Sequence, residues 1–183
     1  MVTDKKYFKK KNILITGGNQ GLGLEIAKYF YQLGANIIIC ARNKKKLNDI
    51  KKLFNKKKNQ IVIIEKCDVS NFGEVDIFFN KILKKIKHID ILINNAGVYG
   101  PKGKFENLSW KDFQKTLNVN LLGSIYFIKK IIPHYKKRKK GKIIQMSGGG
   151  AASPLPFFSA YATSKAGVVR FIENISKELI SYK

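Results

Sequence analysis

Tyr161 and Lys165 stand four residues apart in the run Tyr161-Ala162-Thr163-Ser164-Lys165. On a helix that spacing puts both side chains on one face. An ammonium beside a phenol favours the ionised phenol, so such a pair can pass a proton near neutral pH. The spacing is common by chance and carries weight only through what accompanies it. What accompanies it is a glycine-rich turn far upstream, Thr16-Gly17-Gly18-Asn19-Gln20-Gly21-Leu22-Gly23.

That turn follows an apolar run, Asn12–Thr16, and opens a segment of helical periodicity, which is the context a phosphate-binding loop requires. Gly17 permits the tight turn, Gly21 lets the backbone approach a pyrophosphate, and Gly23 permits close packing of the helix. The residues Asn19, Gln20 and Leu22 between them complete the loop. The free N–H groups and partial positive charge of a helix N-terminus then face the phosphates. The end of the second apolar run reads Cys40-Ala41-Arg42-Asn43-Lys44. A carboxylate there would hold the ribose 2′-OH of NAD. Ala41 occupies that place and Arg42 follows, and a guanidinium suits a 2′-phosphate, so NADP is favoured over NAD.

The elements that must position these residues are legible as alternating patterns. Strands are predicted at Asn12–Thr16, Asn36–Ala41, Gln60–Cys67, Ile89–Asn94 and Lys142–Met146. Helices are predicted at Leu22–Leu33, Lys44–Asn55, Phe72–Ile86, Trp110–Ile132 and Ala160–Ile180, with Pro133 helping to stop the fourth. Near-continuous Ile/Leu/Val strands alternating with helices indicate an α/β fold. It is a doubly wound, Rossmann-like parallel sheet with helices on both faces, formed by residues 1–183 as one dinucleotide-binding domain.

Composition limits the rest. The formal net charge is +24 from 36 basic and 12 acidic residues. Only Arg42, Arg138 and Arg170 among the basic residues are arginine. A nucleic-acid site would use arginine forks and interleaved aromatics, so the lysines read as a solvated surface, including the run Lys136–Lys140. No specific nucleic-acid partner is expected. Cys40 and Cys67 each end an apolar run and are expected to be buried thiols rather than a disulfide or a metal pair. The charged stretch Met1–Asn12 lacks an apolar core, and no apolar run reaches about 18 residues. A cytoplasmic chain without a membrane partner is expected.

Four segments in this order resemble the short-chain dehydrogenase/reductase family along nearly the whole chain. They are Thr16–Gly23, Asn94-Asn95-Ala96-Gly97, Asn118-Val119-Asn120-Leu121-Leu122-Gly123 and Tyr161–Lys165. The resemblance implies an NAD(P)-dependent oxidoreductase that moves hydride between a nicotinamide and a carbonyl or alcohol. It implies that Asp68-Val69 contacts the adenine and that Asn95, Ala96 and Gly97 line the cofactor ribose. Tyr161 would be the acid/base on the substrate oxygen. Lys165 would lower its pKa and hold the nicotinamide ribose. Asn120, or less suitably Asn118, would place a water beside Lys165. A serine after the fifth strand would hydrogen-bond the substrate oxygen. The resemblance also implies a homo-oligomer, a dimer or tetramer, through apolar faces carrying Phe113, Leu117 and Leu121 and Val168, Phe171 and Ile175.

The sequence departs from the family pattern twice. Alignment of Gly141–Gly148 puts Gly148 at the place of the serine. Ser147 serves only if Gly148-Gly149-Gly150 absorbs one residue, and Ser153 and Ser159 are poorer by position. The chain also ends at Lys183 without a counterpart of the sixth strand, the substrate-covering segment or the seventh strand, so it reads as C-terminally truncated. An exposed edge on the fifth strand and an open nicotinamide pocket are expected. The alternative reading is a catalytically silent nucleotide-binding or subunit-interaction remnant. Pro154–Phe158 is expected to wall the pocket with apolar rings.

Overall fold

The computed structural model describes residues 5–54 and 60–182. Five strands form one parallel sheet: β1 (Asn12–Thr16), β2 (Asn36–Ala41), β3 (Val62–Lys66), β4 (Ile91–Asn94) and β5 (Lys142–Gln145), in the order β3-β2-β1-β4-β5. The register runs Leu14 opposite Ile38 and Leu92, and Leu92 opposite Ile143. After β3 the chain returns across the sheet to β4, so the winding reverses between β1 and β4. Ligands of open α/β sheets bind at that switch point, outside the carboxyl ends of the strands.

Every residue of β1 and β2 is buried because both sheet faces are covered. Ile13, Ile15, Ile37 and Ile39 pack on one face with Ala27 and Tyr31 of α2 (Gly21–Gln32) and Leu47 and Ile50 of α3 (Lys44–Lys51). Leu14, Ile38 and Leu92 pack on the other face. There they meet Val75, Phe78 and Phe79 of α4 (Phe72–Lys85), with Phe127, Ile128 and Ile131 beyond. The period of two within each strand therefore feeds two cores. Cys40 and Cys67 are buried free thiols in the second of these. A short α1 (Lys5–Phe8) precedes the sheet, and sequence periodicity does not reveal it. Asn55, the expected end of α3, lies outside the described residues, as do residues 1–4 of the charged N-terminal stretch.

The expected single helix Trp110–Ile132 is three segments. They are α5 (Trp110–Leu117), a π-helical stretch at Asn118–Leu122 and α6 (Gly123–Arg138). The wide turn delivers Asn120 into the interior at 1% exposure, while Gly123 packs on the backbone of Val69. Pro133 does not stop α6. It sits on the solvent side, so the Lys129 carbonyl that loses its donor faces water while Ile131 and Tyr135 stay packed. The last helix, α7 (Ser159–Glu178), packs on α5 and on the π-helical stretch. Val168 is fully buried there, and Leu121 lies against Gly167. Phe113 stacks on Trp110, with ring centroids 5.2 Å apart. Part of the apolar set expected to face another subunit is thus spent within the chain. β5 stands at the sheet edge with Lys142 and Ile144 exposed.

One buried carboxylate ties the amino ends of β1 and β4 to α6. Asp90 accepts from the Asn12 backbone N–H at 2.9 Å and from Arg138 at 3.2 Å, and lies 3.4 Å from His88. Asp90→Ala would leave the Asn12 N–H without its acceptor and take from Arg138 its charged partner, leaving it the Ile89 carbonyl at 2.9 Å. A loss of about 3 kcal/mol is expected, read as a fall of roughly 10 °C in Tm by calorimetry.

Candidate functional site

The carboxyl ends of β1, β2 and β4 open into a cavity of about 710 Å³. Arg42, Asn43 and Lys46 line one end of it. Gly17, Asn19, Gln20, Gly21, Leu22 and Gly23 form one wall, with Asn95, Ala96, Gly97 and Val98 opposite. Met146, Ser147, Tyr161 and Lys165 complete the lining, together with Tyr99. No carboxylate lines this cavity among the described residues.

The two walls are knitted together by β1. Thr16 Oγ1 accepts the backbone N–H groups of Asn95 and Ala96, each at 3.0 Å. Asn95 Nδ2 donates back to the carbonyls of Thr16 and Gly17 at 3.0 and 3.3 Å. This bracing requires α2 to start against the turn. A Cβ on Gly23 would lie 2.4 Å from Asn95 Nδ2 and 2.6 Å from the Gly17 carbonyl oxygen. Gly21 has φ +52° and open space where a Cβ would stand, so its backbone faces the groove unobstructed. A diphosphate suits such a wall, because Gly21 leaves the backbone open there and the first N–H groups of a helix have no partner within it.

Asn120 stands behind the groove rather than in it. Its side-chain oxygen accepts from the Val98 N–H at 2.8 Å. Its amide donates to the Val98 carbonyl at 2.8 Å and to Ser164 Oγ at 3.0 Å. It therefore clamps the loop after β4 to α7, while Asn118 is exposed. Asp68 also stands outside the groove. Its carboxylate turns back on the Ser70 N–H and hydroxyl at 2.9 and 2.7 Å, and Cys67 and Val69 line the cavity instead.

Lys165 is 5% exposed and donates to the Met146 carbonyl at 3.0 Å. Its ammonium lies 5.6 Å from the centre of the Tyr161 ring. The expected lowering of the phenol pKa is not what this arrangement produces. Burial, with Tyr99 close by, pushes the Tyr161 phenol above its ordinary value, and burial lowers Lys165. The Nζ donates to a carbonyl rather than to the phenol hydroxyl. Gly148, not Ser147, abuts the phenol, because a Cβ there would fall 2.2 Å from the Tyr161 oxygen. Ser147 is exposed, lines the same cavity and makes no hydrogen bond among the described residues.

The aromatic wall is not the expected one. Phe157 points outward, 54% exposed. The ring over Tyr161 is Tyr99, 5.2 Å away, with Phe158 at 6.4 Å from Tyr99. Tyr99 and Lys46 also line the cavity, and neither belongs to a motif. Tyr99 follows the Asn94–Gly97 segment by two residues, which was its one available signal.

The family model described as short chain dehydrogenase matches residues 11–183. The chain belongs to the short-chain dehydrogenase family. It is 34% identical over 176 residues to a fatty acyl-CoA reductase from Acinetobacter baylyi, covering 96% of this chain and 59% of that protein. It is 34% identical to 11-beta-hydroxysteroid dehydrogenase-like 3 of Arabidopsis thaliana, covering 93% of this chain and 55% of that protein. The chain thus spans a little over half the length of these curated relatives. Among solved structures, a variant of actinorhodin polyketide ketoreductase with NADPH superimposes with a TM-score of 0.87 at 25% identity, over 98% of this chain and 67% of that one. No described helix is long and apolar enough to cross a membrane.

Proposed function

We propose that this chain carries the cofactor half and the proton-transfer residues of an NAD(P)-dependent oxidoreductase that interconverts a carbonyl and an alcohol. The observation that carries the reading is the single cavity wall running from the Gly17–Gly23 turn to Tyr161 and Lys165. A nicotinamide dinucleotide would be held by the turn, by Asn95–Val98 and by Lys165, and it supplies or accepts the hydride. Oxidoreductases among the relatives and the NADPH in the ketoreductase support that cofactor class. Arg42 at the end of β2, with no carboxylate in the groove, favours NADP over NAD.

The chain's own residues then do three things. Tyr161, kept protonated through neutral pH by its surroundings, donates a proton to the oxygen of a carbonyl substrate. Lys165 fixes one edge of the site through the Met146 carbonyl and presents its remaining donors to the cofactor ribose. Ser147 supplies a second donor to the substrate oxygen as charge develops there. Tyr99, beside Tyr161, gives that end of the cavity an aromatic surface, which suits apolar carbonyl compounds.

The reading is tested by oxidation of NADPH and NADH against a panel of aliphatic, steroid-like and aromatic ketones and aldehydes. Turnover with any of them supports it. Tight dinucleotide binding without turnover by the purified chain leaves the silent, nucleotide-binding reading instead. Ser147→Ala is expected to slow turnover about 10- to 100-fold with little change in dinucleotide affinity. A change under about threefold would leave Tyr161 as the sole donor to the oxygen.

A further inference from the structure

The fold gathers positive charge at the end of the sheet opposite the cavity. In a parallel sheet every segment that feeds a strand arrives at one end, and every segment that leaves a strand departs at the other. The feeding segments are laced together here. The Lys10 N–H donates to the Gly34 carbonyl at 2.9 Å, and the Asn36 N–H to the Lys11 carbonyl at 2.8 Å. The Asn36 side chain accepts from the Ile61 N–H at 2.8 Å, and the Lys142 N–H donates to the Asp90 carbonyl at 3.0 Å. Exposed at this end are Lys9 and Lys10 before β1, Lys52 before β3, Lys87 before β4, and Lys139 and Lys140 before β5.

Acid does not balance these lysines. The segments that feed the five strands are residues 9–11, 33–35, 52–61, 86–90 and 139–141, and Asp90 is the only acidic residue in them. It is buried and already held by Arg138 and the Asn12 N–H. Of the helices, α7 brings Glu178 to this end in its last turn. Asp68, Glu74, Glu106 and Asp112 follow β3 and β4 at the cavity end. Large apolar side chains stand among the lysines. Tyr7 and Leu53 are each 52% exposed and Ile61 is 48% exposed. The Lys136 ammonium lies 4.4 Å from the centre of the Tyr182 ring.

Lysines interleaved with exposed apolar side chains match the surface of an anionic bilayer. Each ammonium near acidic headgroups contributes about fivefold in affinity, while tyrosine, leucine and isoleucine enter the acyl boundary. A nucleic acid makes no use of exposed leucine or isoleucine. It favours arginine forks, and Arg138, the arginine at this end, is committed to Asp90 and the Ile89 carbonyl. We propose that the amino end of the sheet is a peripheral docking surface for an anionic lipid bilayer, with lysines from four strand-feeding segments seated around Leu53 and Ile61. The cavity opens at the carboxyl ends of the strands, so its mouth faces away from the bilayer. The proposal does not depend on the dinucleotide reading.

The test is cosedimentation of the chain with vesicles of phosphatidylcholine alone and of phosphatidylcholine with about one-quarter phosphatidylserine, at about 0.1 M salt. Binding to the second and not to the first is expected. Lys9→Gln, Lys87→Gln and Lys140→Gln together are expected to weaken it about tenfold or more. Lys45→Gln, Lys104→Gln and Lys111→Gln together remove the same charge from the cavity end and are expected to change it by less than about threefold. Leu53→Ser with Ile61→Ser is expected to cost about fivefold on the acidic vesicles and to leave duplex DNA binding as it was. Equal losses from the two triple variants would overturn the proposal in favour of charge spread over the whole surface. No loss on vesicles from the apolar pair would overturn it in favour of a general polyanion site. Failure of the chain to bind acidic vesicles would overturn it outright.

Discussion

Tyr161→Phe is expected to abolish carbonyl reduction, with a loss of about a thousandfold in kcat. The substitution removes one oxygen and keeps the ring. Tyr99 still has its neighbour at 5.2 Å, and Lys165 keeps the Met146 carbonyl. Dinucleotide affinity should therefore stay within about twofold, since no dinucleotide-facing backbone has moved. A variant that loses binding and turnover together would assign Tyr161 to holding the site rather than to the proton.

The pH profile carries the same argument with a sign. Burial raises the phenol above its ordinary pKa. Reduction needs the protonated form, so its rate should stay level through neutral pH and fall only on the alkaline side. Oxidation of the alcohol needs the ionised form and should climb over that same alkaline range. A reduction rate that rises from neutral into alkaline pH would remove Tyr161 from the acid's place. Bound dinucleotide adds its own charges, and the kcat/KM profile for the carbonyl reports the groups of the dinucleotide-loaded chain, so the direction of the profile is what is compared.

Much of this arrangement is legible in the residue order. All five strands and the glycine turn fall where apolar runs and Gly17–Gly23 place them, because a sheet buried on both faces leaves little choice of residue. What was not legible depends on contacts distant in sequence. Asn120 is singled out by the family resemblance, but that a π-helical turn carries it inward is not legible, because nothing local distinguishes that turn. Pro133 reads as a stop because its exposure on α6 is a tertiary fact. Asp68 reads as a ligand contact until Ser70, two residues on, captures it. The Tyr161–Lys165 spacing correctly places both side chains at one cavity. It does not reveal that one of the ammonium's donors goes to the Met146 carbonyl, just past the end of β5. Lys46 is one of 33 lysines in the sequence, and its place in the cavity lining and its bond to Gln20 depend on the fold.

The two glycines of the turn should fail in different ways, which separates holding the fold from holding the ligand. Gly23→Ala puts a methyl 2.6 Å from the Gly17 carbonyl oxygen and 2.4 Å from Asn95 Nδ2. One neighbour is backbone, and the other is committed to the Thr16 and Gly17 carbonyls, so neither yields cheaply. The start of α2 must shift, and the bonds joining β1 to the loop after β4 shift with it. A loss of about 2–3 kcal/mol in urea unfolding is expected, with dinucleotide affinity down about a hundredfold or more. Gly21→Ala meets no atom within 4 Å. Its φ of +52° costs an alanine only about 1 kcal/mol, so the fold should hold. Its methyl enters the groove at the place where backbone must approach the diphosphate, and affinity should fall by a similar factor. If Gly21→Ala binds dinucleotide as well as the parent chain, the diphosphate does not lie on this turn. The assignment of the groove then fails at its most specific point, whatever the fate of Gly23→Ala.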